Sequence, residues 1–503
     1  MFSKPVLLLA LIPFFIGNTI ADDLKVRKGF TRLSYDNLSL PNDENMGLLG
    51  TSYLLDFDDS YLGLGVYSAI DGQRGGFFTG GIQLGHQLEL GQGFALDSGV
   101  FIGGGGGGAA PQGGGLMLRP HVSMIKNIGG LNLGLGVSKV KFPNGDIDSN
   151  QLSLQLDMPF GFVYKSFDDK QASNNDILTL DANSDLRVGW KDYYMATTYQ
   201  QYMIDNGVKN TSGALMANDM SLVGFEYGIK STDGYYHYLE TAGAGSKGTD
   251  GFAEFLGGMG YSKAFGRNFG LNLKAALGAA GGGGVDTGGG LIYKQNIGLY
   301  VRPFNEVSLS AEVGRVGAFD GEFKANTLKL GLQYPFKLLS AGGGVRKASN
   351  YDYTSNGLWA IREVHQSYLG SSTLRKNSSK DPVQLLGVKL DRYLDNDTYI
   401  TGQALAAYKG ESGGYAVGLI GAGQDFNITQ DLNLFTEFGV GVAGGGGIDT
   451  GGGAIMQPLV GFNYEFSPGF SLQSSFGKMI AMSGGGDTNV VEFGLKYQFG
   501  TVE

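Results

Sequence analysis

The sequence predicts an all-β protein: an antiparallel sheet closed into a membrane-crossing barrel, built from three repeats of about eight strands. Three observations carry this. Large apolar residues alternate with small or polar ones at matching places along the chain, the period that a strand with one greasy face requires. Three glycine tracts of nearly one design recur, Gly103–Gly115 (GGGGGGAAPQGGG), Gly281–Gly290 (GGGGVDTGGG) and Gly444–Gly453 (GGGGIDTGGG). The joints between the expected strands alternate between tight and glycine-rich.

The repeat sets the organisation. Asp286 to Asp449 and Phe336 to Phe499 are each 163 residues, and Phe160 to Phe336 is 176, close to the spacing of the first two tracts. Such self-similarity marks a triplication. The expected units are 22–160, 161–336 and 337–499, followed by a C-terminal extension, 500–503. Ahead of them, Lys4, an apolar stretch from Pro5 to Gly17 and the small-residue site Thr19-Ile20-Ala21 make 1–21 read as a secretory signal peptide. That apolar run is too short to cross about 30 Å of hydrocarbon as a helix.

Composition narrows the class. Removing Lys4 from the 37 basic residues leaves 36 against 47 acidic ones, a charge of −11, with no basic run to track phosphates. This argues against a nucleic-acid partner. There is no cysteine, so no disulfide framework holds the chain. Glycine is 88 of 503 residues, above the usual proportion of about 7%, yet aromatics stay at 12% and interleave with it, which argues for order.

Each unit ends on a strict alternation. Leu152, Leu154, Leu156, Met158 and Phe160 share one face, with Ser153, Gln155 and Asp157 on the other. The second unit repeats this with Leu328, Leu330, Leu332, Tyr334 and Phe336 against Lys329, Gly331 and Gln333. The third does so with Phe493, Leu495, Tyr497 and Phe499 against Gly494, Lys496 and Gln498. Further strands of the third unit are expected at 383–390, 398–407, 415–423, 432–443, 454–465, 470–480 and 489–499, with one more before Val383. Tight joints fall at Asp395-Asn396-Asp397, 427–431 and Ser467-Pro468-Gly469. The glycine-rich joints are 409–414, the tract itself and 483–488.

Strands of about ten residues, greasy on one side and joined by alternately short and longer loops, are what a transmembrane β-barrel needs. In lipid every backbone donor must be paired, so the sheet must close. Here the chain resembles the Gram-negative outer-membrane β-barrels, a resemblance of pattern over the whole mature chain. It implies residence in the cell outer membrane, lipid as a partner, and assembly by the barrel assembly machinery. The last strand resembles that class's aromatic-terminated assembly signal, departing from it in the Gly500-Thr501-Val502-Glu503 that follows Phe499.

A secreted β-sandwich or β-solenoid is the soluble alternative, since its strands alternate too. The polar face tilts the reading toward a barrel: Asn132, Gly134, Gly136 and Ser138 oppose Leu131, Leu133, Leu135 and Val137, and solvent-facing strands disfavour glycine. Whether the units share one ring or close separately turns on the connectors. Gly161-Phe162-Val163-Tyr164 and Lys337-Leu338-Leu339 follow the unit ends directly and read as next strands. They favour one continuous barrel of about 24 strands; three eight-stranded barrels are the alternative. The polar stretches 168–219 and 348–381 would then supply long loops.

The sharpest enzyme-like signal is Val285-Asp286-Thr287-Gly288 and Ile448-Asp449-Thr450-Gly451. These copies resemble the paired motifs of pepsin-like aspartic proteases, which would make Asp286 and Asp449 a proton-sharing dyad supported by Thr287 and Thr450. Gly289 and Gly452 stand where Ser or Thr is usual, and the first unit reads Ala109-Ala110-Pro111-Gln112, with no acid. A glycine-flanked Asp-Thr is also an ordinary tight turn, which is the favoured reading. Asp286, Thr287, Asp449 and Thr450 remain candidate binding residues on the tract hairpins. His86, His121, His237 and His365 do not recur at the repeat period, and no metal or cofactor is expected. The glycine tracts themselves read as relief of crowding, or as hairpins packing bare backbone against each other or a polymer. Function is expected to be transport or export of a small or polymeric solute through the lumen, with no enzymatic activity; a non-conducting surface scaffold or adhesin is the alternative.

Overall fold

The computed structural model describes residues 25–57, 59–165, 188–216, 218–246, 248–304, 307–341, 346–347, 356–370, 374–376, 381–482 and 484–502. The expected signal peptide lies outside them. The sheet is antiparallel throughout and its strands follow the repeats. The first unit is β1 (Lys25–Leu40), β2 (Glu44–Phe57), β3 (Ser60–Asp71), β4 (Phe78–Gly91), β5 (Phe94–Gly106), β6 (Met117–Ile128), β7 (Leu131–Lys141) and β8 (Asp148–Lys165). Neighbours in sequence pair, and β8 returns to β1 with Leu156 opposite Leu33.

The second unit is β9 (Val188–Ile204), β10 (Met220–Lys230), β11 (Tyr235–Ala244), β12 (Ala253–Ala264), β13 (Phe269–Gly281), β14 (Leu291–Phe304), β15 (Val307–Ala318) and β16 (Lys324–Ala341). It closes by β16 on β9, Leu330 opposite Tyr199. A two-residue strand, β17 (Arg346–Lys347), adds to β9. The third unit is β18 (Asn356–Leu369), β19 (Gln384–Tyr393), β20 (Thr398–Lys409), β21 (Ala416–Asn427), β22 (Leu432–Gly444), β23 (Ala454–Ser467), β24 (Phe470–Ala481) and β25 (Thr488–Val502), with Lys496 opposite Arg362 at the closure.

The pairing therefore runs around three rings of eight, where the connectors favoured one ring of about 24. The segments behind that expectation have another use here. Gly161–Tyr164 continues β8 and Lys337–Leu339 continues β16, so neither begins a new strand. At the base of the rings these tips, still paired within their own closures, also pair across units, Ser340 opposite Phe162 and Thr501 opposite Tyr164. Tyr193, Phe336 and Trp359 pack beside them, with Met195, Tyr227, Leu338 and Phe499 against the cluster. The apolar character of the connectors thus serves contact between units at the base. The two expected loop stretches also contain wall strands: β9 lies within 168–219 and β18 within 348–381, while 168–187 falls outside the described residues.

Joints at the end where the chain enters each ring are two to four residues long, whereas those at the far end, which include the tracts, run from three to fifteen. The walls are oily outside. In β7, Leu133, Leu135 and Val137 are 47%, 58% and 56% exposed, while Gly134 between the first two and Ser138 after the last are buried. Leu152 and Leu154 project outward from β8, and Ser153, Gln155 and Asp157 point in. A sandwich would bury the first set and wet the second, so the soluble alternative has the wrong faces. Exposed aromatics gather near the short-turn end: Phe94, Tyr235, Phe265, Phe269, Phe426, Tyr464 and Phe466. Rings at that level form an interfacial girdle.

Candidate functional site

Each ring encloses charge. An eight-stranded barrel is just wide enough for its side chains to fill, so inward ions meet one another instead of water. In the first ring the Arg32 guanidinium donates from Nε and Nη2 to Asp157 at 2.7 and 2.8 Å and from Nη1 to Asp97 at 2.9 Å. His121 Nε2 lies 2.9 Å from Asp97, and Arg119 forks onto Asp36 at 2.5 and 3.0 Å. In the second ring Lys294 reaches Glu240 and Glu254 at 2.8 and 2.6 Å, Lys329 reaches Glu226 and Glu240 at 2.6 and 2.9 Å, and Lys274 reaches Glu226 and Glu312 at 2.8 and 2.9 Å. In the third, Arg362 bridges Asp391 and Glu437, both at 2.6 Å, and Lys389 bridges Glu437 and Glu492 at 2.8 and 3.0 Å. All these groups are buried except Lys274, which is half-buried. Charges removed from water persist only when paired and hydrogen-bonded, and these networks meet that condition across each lumen.

Toward the tract end the interior turns apolar. Tyr67, Phe77, Phe101, Met117 and Phe142 fill the first ring there, Tyr202, Phe252 and Phe323 the second, and Tyr368, Leu374 and Tyr415 the third. The glycine turns complete this stopper. Val285 and Ile448, the apolar residues ahead of each Asp-Thr-Gly, join the cores of their rings, and Ala110 takes the matching place in the first.

That explains the motif residue by residue. Asp286 Oδ1 accepts the Gly288 N–H at 3.1 Å and Asp449 Oδ1 accepts the Gly451 N–H at 3.0 Å, side-chain turns of the kind Asp favours. Thr287 Oγ1 donates to the Ala280 carbonyl and Thr450 Oγ1 to the Ala443 carbonyl, both at 2.9 Å, tying each turn to the strand before it. Asp286 and Asp449 sit in the turns of different rings, and no hydrogen bond joins them among the described residues. The arrangement is that of a turn, without the shared-proton pair a protease needs. Of the histidines, His121 belongs to a lumen network, and His365 Nε2 lies 2.5 Å from Tyr408 Oη on the outer wall.

Sequence reading reached the turn but missed the networks. Arg32 and Asp157 are 125 residues apart and Arg362 and Glu437 are 75 apart. The signal available was the inward register itself: Arg32, Lys329 and Lys496 occupy small-or-polar positions of strands whose other face is greasy. The tracts pack backbone against backbone of their own hairpin and of the neighbouring ring; the crowding account also applies, at Gly103 of the first tract, where an added Cβ would lie 2.5 Å from Phe101 Cζ, and at in-strand glycines such as Gly260, where it would lie 2.1 Å from Tyr236 Cζ.

No protein-family model matches the chain, and no curated protein matches it. Among solved structures, OccK11 (OpdR) of Pseudomonas aeruginosa is 12% identical, covering 94% of this chain and 96% of its own, at a TM-score of 0.22. The siderophore receptor PirA of Acinetobacter baumannii is 11% identical, covering 96% and 81%, at 0.27. The outer membrane protein opdK of Pseudomonas aeruginosa is 10% identical, covering 96% and 100%, at 0.22. Likenesses of this extent carry no weight beside the wall's own pattern. Oily outward faces, an aromatic girdle and inward ion pairs define a transmembrane β-barrel of the outer-membrane type.

Proposed function

We propose that the protein is an outer-membrane barrel working as three narrow rings, each stoppered by its own side chains, and that it serves as a non-conducting surface scaffold. The observation that carries this reading is the buried ion-pair network across every lumen, capped by an apolar plug under each tract. On the usual plan of such barrels the short turns face the periplasm and the longer loops the exterior, which puts the tracts and the β9–β10 and β18–β19 loops outside. Those loops are the surface offered to a partner. Lipid surrounds the belt, and the aromatic-rich β25 is the element offered to the assembly machinery.

Transport is the second reading. It is favoured by the polar character of the lumens, which would wet if the ion pairs parted. Reconstitution in planar bilayers separates the two. The scaffold reading expects a flat baseline from the wild type, and removal of the β9–β10 loop to abolish partner binding without altering that baseline. Sustained open-channel conductance by the wild type would instead establish transport.

A further inference from the structure

The six glycines at the outer end of the three units form a closed circle. Gly76, Gly251 and Gly414 lie in the β3–β4, β11–β12 and β20–β21 hairpins, and Gly107, Gly282 and Gly445 in the tracts. All have positive φ, 86°, 92° and 89° in the hairpins and 116°, 91° and 89° in the tracts. Within each unit the tract glycine presses on its own hairpin. A Cβ on Gly107, Gly282 or Gly445 would stand 2.1, 2.2 or 2.1 Å from the carbonyl oxygen of Gly76, Gly251 or Gly414. Between units the hairpin glycine presses on the next tract. A Cβ on Gly76, Gly251 or Gly414 would stand 2.2, 2.9 or 2.9 Å from the amide nitrogen of Gly282, Gly445 or Gly107.

The order is first unit to second, second to third, third to first, and other contacts repeat it. A Cβ on the last glycine of each tract, Gly115, Gly290 or Gly453, would stand 2.5, 2.5 or 2.8 Å from the carbonyl oxygen of Ala407, Ala69 or Ala244 in the neighbouring unit. The Gly75 N–H donates to the Gly288 carbonyl at 2.9 Å, and Gln112 Nε2 donates to the Gly413 carbonyl at 3.2 Å. The third strand of each unit lies on the fifth strand of another: β3 on β13, β11 on β22, β20 on β5. A head-to-tail contact repeated until it closes is the geometry of a cyclic trimer, here within one chain.

We infer that the glycine tracts are the recognition surface by which the three units fasten to one another in this cyclic order, and that the partner the surface fits is another unit of the same kind. Bare backbone is the requirement, since each joint brings main chain within the space a methyl group would occupy. Positive φ makes glycine the one residue that meets both demands. The inference rests on the three-ring reading.

The test uses the full chain, with specific protease sites placed in 168–187 and 348–355, cut after folding in detergent and run on a native gel. The cut wild type is expected to migrate as one particle. Substituting Gly107→Ala, Gly282→Ala and Gly445→Ala together is expected to abolish that band and release three pieces, each still heat-modifiable. A matched control, Gly248→Ala with Gly284→Ala and Gly484→Ala, changes positive-φ glycines that have nothing within 4 Å and is expected to leave the particle joined. A second triple at Gly115, Gly290 and Gly453 opens the same joints from the tract ends, so either set serves if the other does not fold.

Separation of the cut wild type, or of the control, overturns the fastening role while leaving three rings standing. Pieces that stay joined in both triple variants are held by the strand pairs at the base, and so overturn the fastening role; parted pieces that do not each keep a heat-modifiable band of their own overturn the three-ring reading itself.

Discussion

Replacing Arg362 by Met asks directly whether the third lumen is dry. Arg362 Nη2 donates to Asp391 Oδ1 and Glu437 Oε2, each at 2.6 Å, and all three groups are buried. Methionine keeps much of the length and none of the charge. Glu437 retains Lys389 at 2.8 Å, whereas Asp391 loses its ion-pair partner. Stranding one member of a buried pair costs about 3–5 kcal/mol, or roughly two to three and a half decades in the unfolding equilibrium at about 1.4 kcal/mol per decade. In a water-filled lumen the same pair would behave as an exposed one, worth about 0–1 kcal/mol. The assay is denaturant unfolding of the vesicle-inserted protein, followed by its heat-modifiable band. Arg362→Met with Asp391→Asn removes both charges and should recover part of the loss. A single-variant loss below about 1 kcal/mol refutes the stoppered lumen.

Other substitutions probe the remaining parts. Leu135→Arg puts a charge on the lipid face of β7 and should cost about 2–4 kcal/mol in a bilayer, read by the same unfolding assay. Gly260→Ala drives a methyl group into the Tyr236 ring and should cost about 1–3 kcal/mol, seen as a lowered denaturation midpoint. Val285→Asp with Ile448→Asp places carboxylates in two apolar plugs, and flickering conductance should replace the flat baseline. Asp286→Asn with Asp449→Asn keeps an oxygen to accept the turn N–H, so the unfolding midpoint should not move.

Much of the wall was legible in the sequence because a half-lipid-facing strand has only one way to alternate. The seven strands expected from Val383 onward are all present, with ends displaced by no more than four residues. The faces of Leu131–Val137 and Leu152–Phe160 also came out as read. Ring closure was not legible, because the bond that decides it joins Leu33 to Leu156, and nothing local in β8 distinguishes β1 from β9 as its partner. Gly161–Tyr164 is ambiguous for a related reason: an apolar run contacting another unit looks like one beginning a strand. At the candidate site, the Asp-Thr-Gly turn follows from local chemistry, since Asp286 and Asp449 bond the N–H two residues on. What Val285 and Ile448 do depends on the lumen behind them, and the six-glycine circle on three loops remote in sequence, so neither could be read from the motif.

Single-particle imaging of the protein in lipid nanodiscs tests the whole account most directly. Sections parallel to the membrane should show three small rings of eight strands about a threefold axis, with density filling each lumen and the glycine turns meeting at one end. A single wide ring of some two dozen strands around an open interior would contradict it.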